Sequence, residues 1–180
     1  QQRRGRRGPL PLETKLDDGF VARLNANGVA LDYCGFVGGA GIDAVLGVAA
    51  DADGFAYIAG YTQSPQRTFP EIVGPDLKYG GGLTDAFVAR VHSDGSRFNY
   101  CGYLGGKADD GAAGVAIDAA GSAYVVGVTT SAANTFPVRN GPGLPFNGGL
   151  ATGFSDAFVA KISPFTERQG RIGRLVVSPK

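Results

Sequence analysis

The 180-residue chain has no methionine, one histidine and two cysteines, and each scarcity excludes something. With His92 alone, any multi-histidine metal site within the chain is ruled out, and a catalytic triad could be built only through that residue. The absence of methionine, even at position 1, is what a processed product or a segment of a longer chain would show. No apolar run approaches the roughly 18 residues needed to cross a bilayer, and residues 1–11, QQRRGRRGPLP, lack the apolar stretch of a secretory signal. No segment carries helical spacing of apolar residues over 11 positions or more. Charge of neither sign dominates: 17 basic against 16 acidic side chains leave +1, which excludes a disordered polyelectrolyte and a globally basic nucleic-acid binder.

What is abundant is glycine, 30 residues, beside 10 prolines and 43% hydrophobic residues, in a chain of 18.5 kDa. That is enough to bury a core, and glycine at this level without a triplet period points to many turns between short strands.

The chain repeats itself. DGFVARLNANGVALDYCGFVGG from Asp18 recurs from Asp85 as DAFVARVHSDGSRFNYCGYLGG, so that Phe20 maps to Phe87, Cys34 to Cys101 and Gly39 to Gly106, an offset of 67. The offset persists where GVAADADGFAYIAGYTQS from Gly47 matches GVAIDAAGSAYVVGVTTS from Gly114, and Thr68-Phe69-Pro70 matches Thr135-Phe136-Pro137. A third copy opens at Asp156 with DAFVAKIS. A period of this size marks a stacked or circular array. The units are 18–84, 85–155 and a partial 156–180, preceded by a basic tail over residues 1–16.

Each unit holds four short runs rich in valine, isoleucine, tyrosine and phenylalanine, separated by glycine-containing turns. In the second unit they are residues 87–91, 98–104, 113–117 and 123–128, the last two forming a hairpin. Long connections at 63–84 and 131–155 lead to the next copy. Four antiparallel strands per repeat predict an all-β fold of β-propeller blades, about two and a half in this chain. The small-residue strand, with Gly47 and Ala49 or Gly114 and Ala116, suits the crowded axis where blades converge. A β-solenoid fits less well, because its coils are usually shorter and lack internal hairpins.

The succession DAFVA[KR], YLGG, G[IV]A[VI]D..G.AYV.G.T.S and FP resembles the SBBP repeat of predicted bacterial β-propellers, over residues 17–162. Cys34 and Cys101 stand where that family usually has serine or threonine, and Phe36-Val37-Gly38-Gly39 replaces YLGG in the first unit. The resemblance implies secreted or cell-surface proteins with adhesive or structural roles, and brings no catalytic set.

Two and a half blades cannot close a ring, which needs at least about four. Residues 19–37 are expected to form the outer half of one blade, 45–104 a complete one, and 113–178 another, counting 175–178 as a strand. Open edges and bare faces recruit other chains. The chain is therefore expected to be a fragment of a longer propeller, one of several copies in a ring, or docked on a different protein.

The candidate chemistry is sparse. His92 reads as a turn residue, and Asp51 and Asp53 as a hairpin-turn cap rather than a calcium loop, since the equivalent turn is Asp118-Ala119-Ala120-Gly121. Asp109 and Asp110 read as solvated loop carboxylates. The clusters Gly38-Gly39-Ala40-Gly41 and Gly80-Gly81-Gly82 read as turns, because no Lys-Ser or Lys-Thr pair follows them. Cys34 and Cys101 occupy equivalent repeat positions, which rarely bring sulfurs within bonding distance, and are expected to be buried thiols. Arg3, Arg4, Arg6 and Arg7 form a basic patch suited to a polyanion or an acidic partner surface, and the open edges near both termini and the long connections 63–84 and 131–155 are the other expected interaction surfaces. The reading is a non-enzymatic scaffold or interaction module without metal or cofactor. The alternative is a lectin-like propeller using the repeated aromatics Tyr57 with Tyr124 and Phe69 with Phe136.

Overall fold

The computed structural model describes residues 16–138 and 155–164. Nine strands and no helix occur among them: β1 (Gly19–Leu24), β2 (Leu31–Val37), β3 (Asp43–Ala50), β4 (Ala56–Thr62), β5 (Asp85–Val91), β6 (Phe98–Leu104), β7 (Asp110–Ile117), β8 (Ala123–Thr129) and β9 (Asp156–Ile162). They build three antiparallel sheets, ordered β1-β2, β3-β4-β5-β6 and β7-β8-β9. The sheets begin and end close to where the repeat places them. The expected strands at 87–91 and 113–117 start earlier, at Asp85 and Asp110, because both residues pair across their sheets with Thr62 and Thr129. The expected strand at 175–178 lies outside the described residues.

Local chemistry explains the hairpins. In the β3–β4 turn, Asp51 Oδ1 accepts the amides of Asp53 (3.1 Å) and Phe55 (2.9 Å), and Gly54 takes φ 82°, a left-handed value that a Cβ resists. The β7–β8 turn repeats this with Asp118, Ala120, Ser122 and Gly121. The cap reading of these aspartates holds. Both hairpins also share one register shift, between Val45 and Gly47 and between Ala112 and Gly114.

The sheets stack as three layers. Alternate residues of the middle sheet face opposite neighbours, as strand periodicity requires. Tyr57, Ala59 and Val88 pack toward Ala112, Val125 and Ala160 of the third sheet. Ile58, Phe87 and Ala89 pack toward Val21 and Val37 of the first. Consequently β4 and β5 are buried on both faces. The small-residue strands β3 and β7 are sheet edges lying against each other. A Cβ on Gly47 would stand 2.7 Å from Gly114 Cα, so this approach requires glycine.

Candidate interaction surface

Repeat-equivalent residues meet different fates according to the layer they occupy. Phe87 is fully buried, with the Phe69 ring 5.2 Å away edge-on, whereas Phe20 is 64% exposed. Phe36 of β2 and Val126, Val128 and Val159 of the third sheet are also exposed. The outward faces of the first and third sheets therefore present apolar side chains to solvent, while in the middle sheet the same positions form core, apart from half-buried Tyr61, the equivalent of Val128.

Cys34 corrects the expectation of two buried thiols. It is exposed, whereas Cys101 is sealed and its thiol is pushed up to about 12, chiefly by burial. Cys101 lies in the core between the first and middle sheets, and the connection 63–84 closes over its strand. The connection returns over β6, where Ile72 and Cys101 exchange backbone hydrogen bonds of 2.9 and 2.7 Å and Tyr103 N donates to Asp76 O at 2.8 Å. The free edge of β6 is thus capped, and among the described residues nothing pairs with the equivalent edge of β2.

Between β1 and β3 runs a groove of about 540 Å³. Residues 19–22 form one wall and 43–48 with Ile58 the other, and Asp17 and Asp18 stand at one end. Here Val48 is 65% exposed, although its repeat equivalent Val115 packs against the core between the second and third sheets.

One rim of the stack is polar and was not anticipated. Asp110 is buried rather than solvated: Oδ2 accepts Gly106 N at 2.6 Å and Ser131 Oγ at 2.8 Å. Burial raises its pKa, and the bonds from Thr129, Gly106 and Ser131 oppose that rise. Asp43 repeats the arrangement, with Oδ2 accepting Gly39 N and Ser64 Oγ at 2.7 Å each, and Oδ1 accepting the Thr62 hydroxyl. The glycine clusters lie in loops between strands, and the amides of Gly39, Gly80 and Gly106 serve the carboxylates of this rim. Asp85, fully buried, accepts Gly80 N through Oδ2 at 2.5 Å, and Oδ1 has no hydrogen-bond partner among the described residues. Burial first, with Asp110 adding repulsion, pushes its pKa up to about 7 against the Gly80 bond. A Cβ at Gly105 would lie 2.6 Å from Asp85 Oδ1 and 2.9 Å from Asp110 Oδ2, so the two carboxylates close over a position only glycine fits. The spacing of Asp43 and Asp110 at 67 residues was the available signal for this rim.

At the opposite end, Arg90 lies 3.7 Å over the Phe55 ring and 3.4 Å from Asp51, and Lys161 repeats the role with Tyr124 and Asp118. Asp118, held by Ser122 N and Lys161, falls to about 2. His92 sits at the end of β5, bonded to Asp94 at 2.8 Å and edge-on to Phe55, so it is a structural turn residue. Asp109 accepts Leu83 N at 2.5 Å. Tyr57 and Phe69 are core, Tyr124 is half-buried beneath Lys161, and Phe136 packs on Phe158, so these repeated aromatics form no exposed stacking platform. Among the described residues no group of three or more histidine, cysteine or acidic side chains is placed to hold a metal, and no helix is long and apolar enough to cross a membrane. Arg3, Arg4, Arg6 and Arg7 lie outside the described residues.

No family model matches this chain, and no curated protein matches it. The apolar flanks and the groove are the features of the molecule that bear on its role.

Proposed function

We propose that this chain is a β-propeller segment that acts as a non-enzymatic scaffold or interaction module within a larger protein assembly. The observation that carries this reading is the contrast between Phe20 and Phe87: one repeat position is solvent-exposed in a flanking sheet and sealed in the middle one. A layer is sealed only when it has neighbours on both faces, and contiguous apolar flanks of this kind mark surfaces for other chains. The four-stranded middle sheet, its small-residue edge strand and the resemblance of the repeat to the SBBP pattern support blades as the unit. Other subunits, copies or a different protein, cover the flanks in the assembly.

Light scattering on the full chain, purified and in its native extract, tests this. The expected particle is heavier than the 18.5 kDa of one chain. A monodisperse single-chain particle in both settings, binding no dye that reports exposed apolar surface, would overturn the proposal.

A further inference from the structure

We propose that the groove between β1 and β3 is a docking site for a β-hairpin of the same class as β3–β4, supplied from outside the described residues and added to the free edge of β1. This rests on the blade reading and specifies what completes the first sheet.

The repeat supplies the template. β1 corresponds residue for residue to β5 at an offset of 67, and β5 has β4 on one side and β6 on the other. β1 has only β2. In the middle sheet Thr62 pairs with Asp85 and Ala56 with Val91, so transposition sets an incoming strand antiparallel to β1, its threonine opposite Asp18 and its alanine opposite Leu24. The third sheet keeps the same pairing, with Thr129 opposite Asp156 and Ala123 opposite Ile162.

The groove wall fits that occupant. β7, the equivalent of β3, lies against β3 and β4, and Val115 joins a core containing Tyr57 and Ala59 of β4. Val48 is the equivalent of Val115, so the tyrosine of an incoming hairpin has its seat over Val48. The two observed hairpins share the pattern D-x-x-x-G-V-A-x-D-A-x-G-x-A-Y-[IV]-x-G-x-T, which starts at Asp43 and at Asp110. Its third glycine is required, since a Cβ at Gly60 would stand 1.8 Å from Ala44 O and one at Gly127 would stand 2.1 Å from Gly111 O. The occupant is thus a small-residue, acidic hairpin that adds backbone hydrogen bonds to an exposed edge, with specificity from the seat over Val48. A second copy is a poorer fit, because its own hairpins are already paired to β5 and β9.

The test adds a synthetic peptide of sequence 43–62 to the full chain and follows amide hydrogen exchange across residues 19–24. A second arm fuses that sequence ahead of residue 1, so that a weakly structured peptide is presented at high effective concentration. Exchange in β1 is expected to slow about tenfold or more in both arms, and the effect is expected to vanish in Val48→Asp while surviving in Val29→Asp, a substitution in the exposed β1–β2 turn. Unchanged exchange in both arms overturns the proposal, as does protection that Val48→Asp leaves intact. Protection that grows with protein concentration alone assigns the groove to a second copy and also overturns it. Should β1 stay unprotected while the particle is heavier than one chain, only the hairpin proposal falls and the assembly reading stands.

Discussion

Gly47 and Gly114 face each other across the seam between the second and third sheets, so close that a methyl group on the first would press on the α-carbon of the second at 2.7 Å. At this point the seam is backbone against backbone, and it admits no side chain at Gly47, whereas a Cβ on Gly114 would meet only Val126 Cγ2 at 3.6 Å. Gly47→Ala is therefore expected to destabilise the chain by about 1–3 kcal/mol through overpacking. Urea unfolding measures this. Gly35→Ala, where nothing lies within 4 Å, is the control and is expected to stay within about 0.5 kcal/mol of the parent.

Asp85 makes stability depend on pH. Its folded pKa of about 7 lies above the ordinary 3.8, so the folded chain holds a proton that the unfolded chain releases. That stabilisation is complete below about pH 4 and is lost as pH rises through 7, amounting to about 4 kcal/mol across the window. The melting temperature is expected to be higher at pH 5 than at pH 7.5, and Asp85→Asn is expected to narrow the difference. Asp110, raised in the same direction, leaves a residual slope of the same sign.

The two thiols differ in access. One equivalent of a maleimide is expected to react rapidly with the native chain, at Cys34, and a second only after denaturation, when Cys101 is released. Mass spectrometry of the labelled peptides checks the assignment. Rapid native labelling at Cys101 would show that the 63–84 connection does not seal β6.

Truncation separates a sealed position from its exposed twin. Phe87→Ala is expected to cost about 3–5 kcal/mol, and Phe20→Ala to change the stability of the isolated chain by no more than about 0.5 kcal/mol. Parallel denaturant titrations compare them. If a partner covers the first sheet, Phe20→Ala becomes costly only in the assembled particle.

Strands and turns were legible in the sequence because local chemistry sets them. Valine and tyrosine runs punctuated by Asp-x-x-Gly turns leave few alternatives, and the 67-residue period fixed the equivalences. Burial was less legible, because a neighbour decides it. Cys34 and Cys101 share a repeat position, yet only one lies beneath a returning connection, and nothing near either cysteine says which. Asp110 was misread for a related reason. A glycine-flanked pair of aspartates looks like a wet loop until Gly106, Thr129 and Ser131 converge on one carboxylate, the last of them 21 residues away. The pairing of Ile72 with Cys101 was likewise invisible, since it joins a connection to a strand edge through backbone atoms alone.

The Gly39–Asp43 and Gly106–Asp110 bonds lie at the two corners where the chain passes from one sheet to the next. Each clasp closes a loop only four residues around, leaving little slack between layers. Pulled at its ends, the polypeptide transmits tension from layer to layer through these gripped corners rather than through loose tethers.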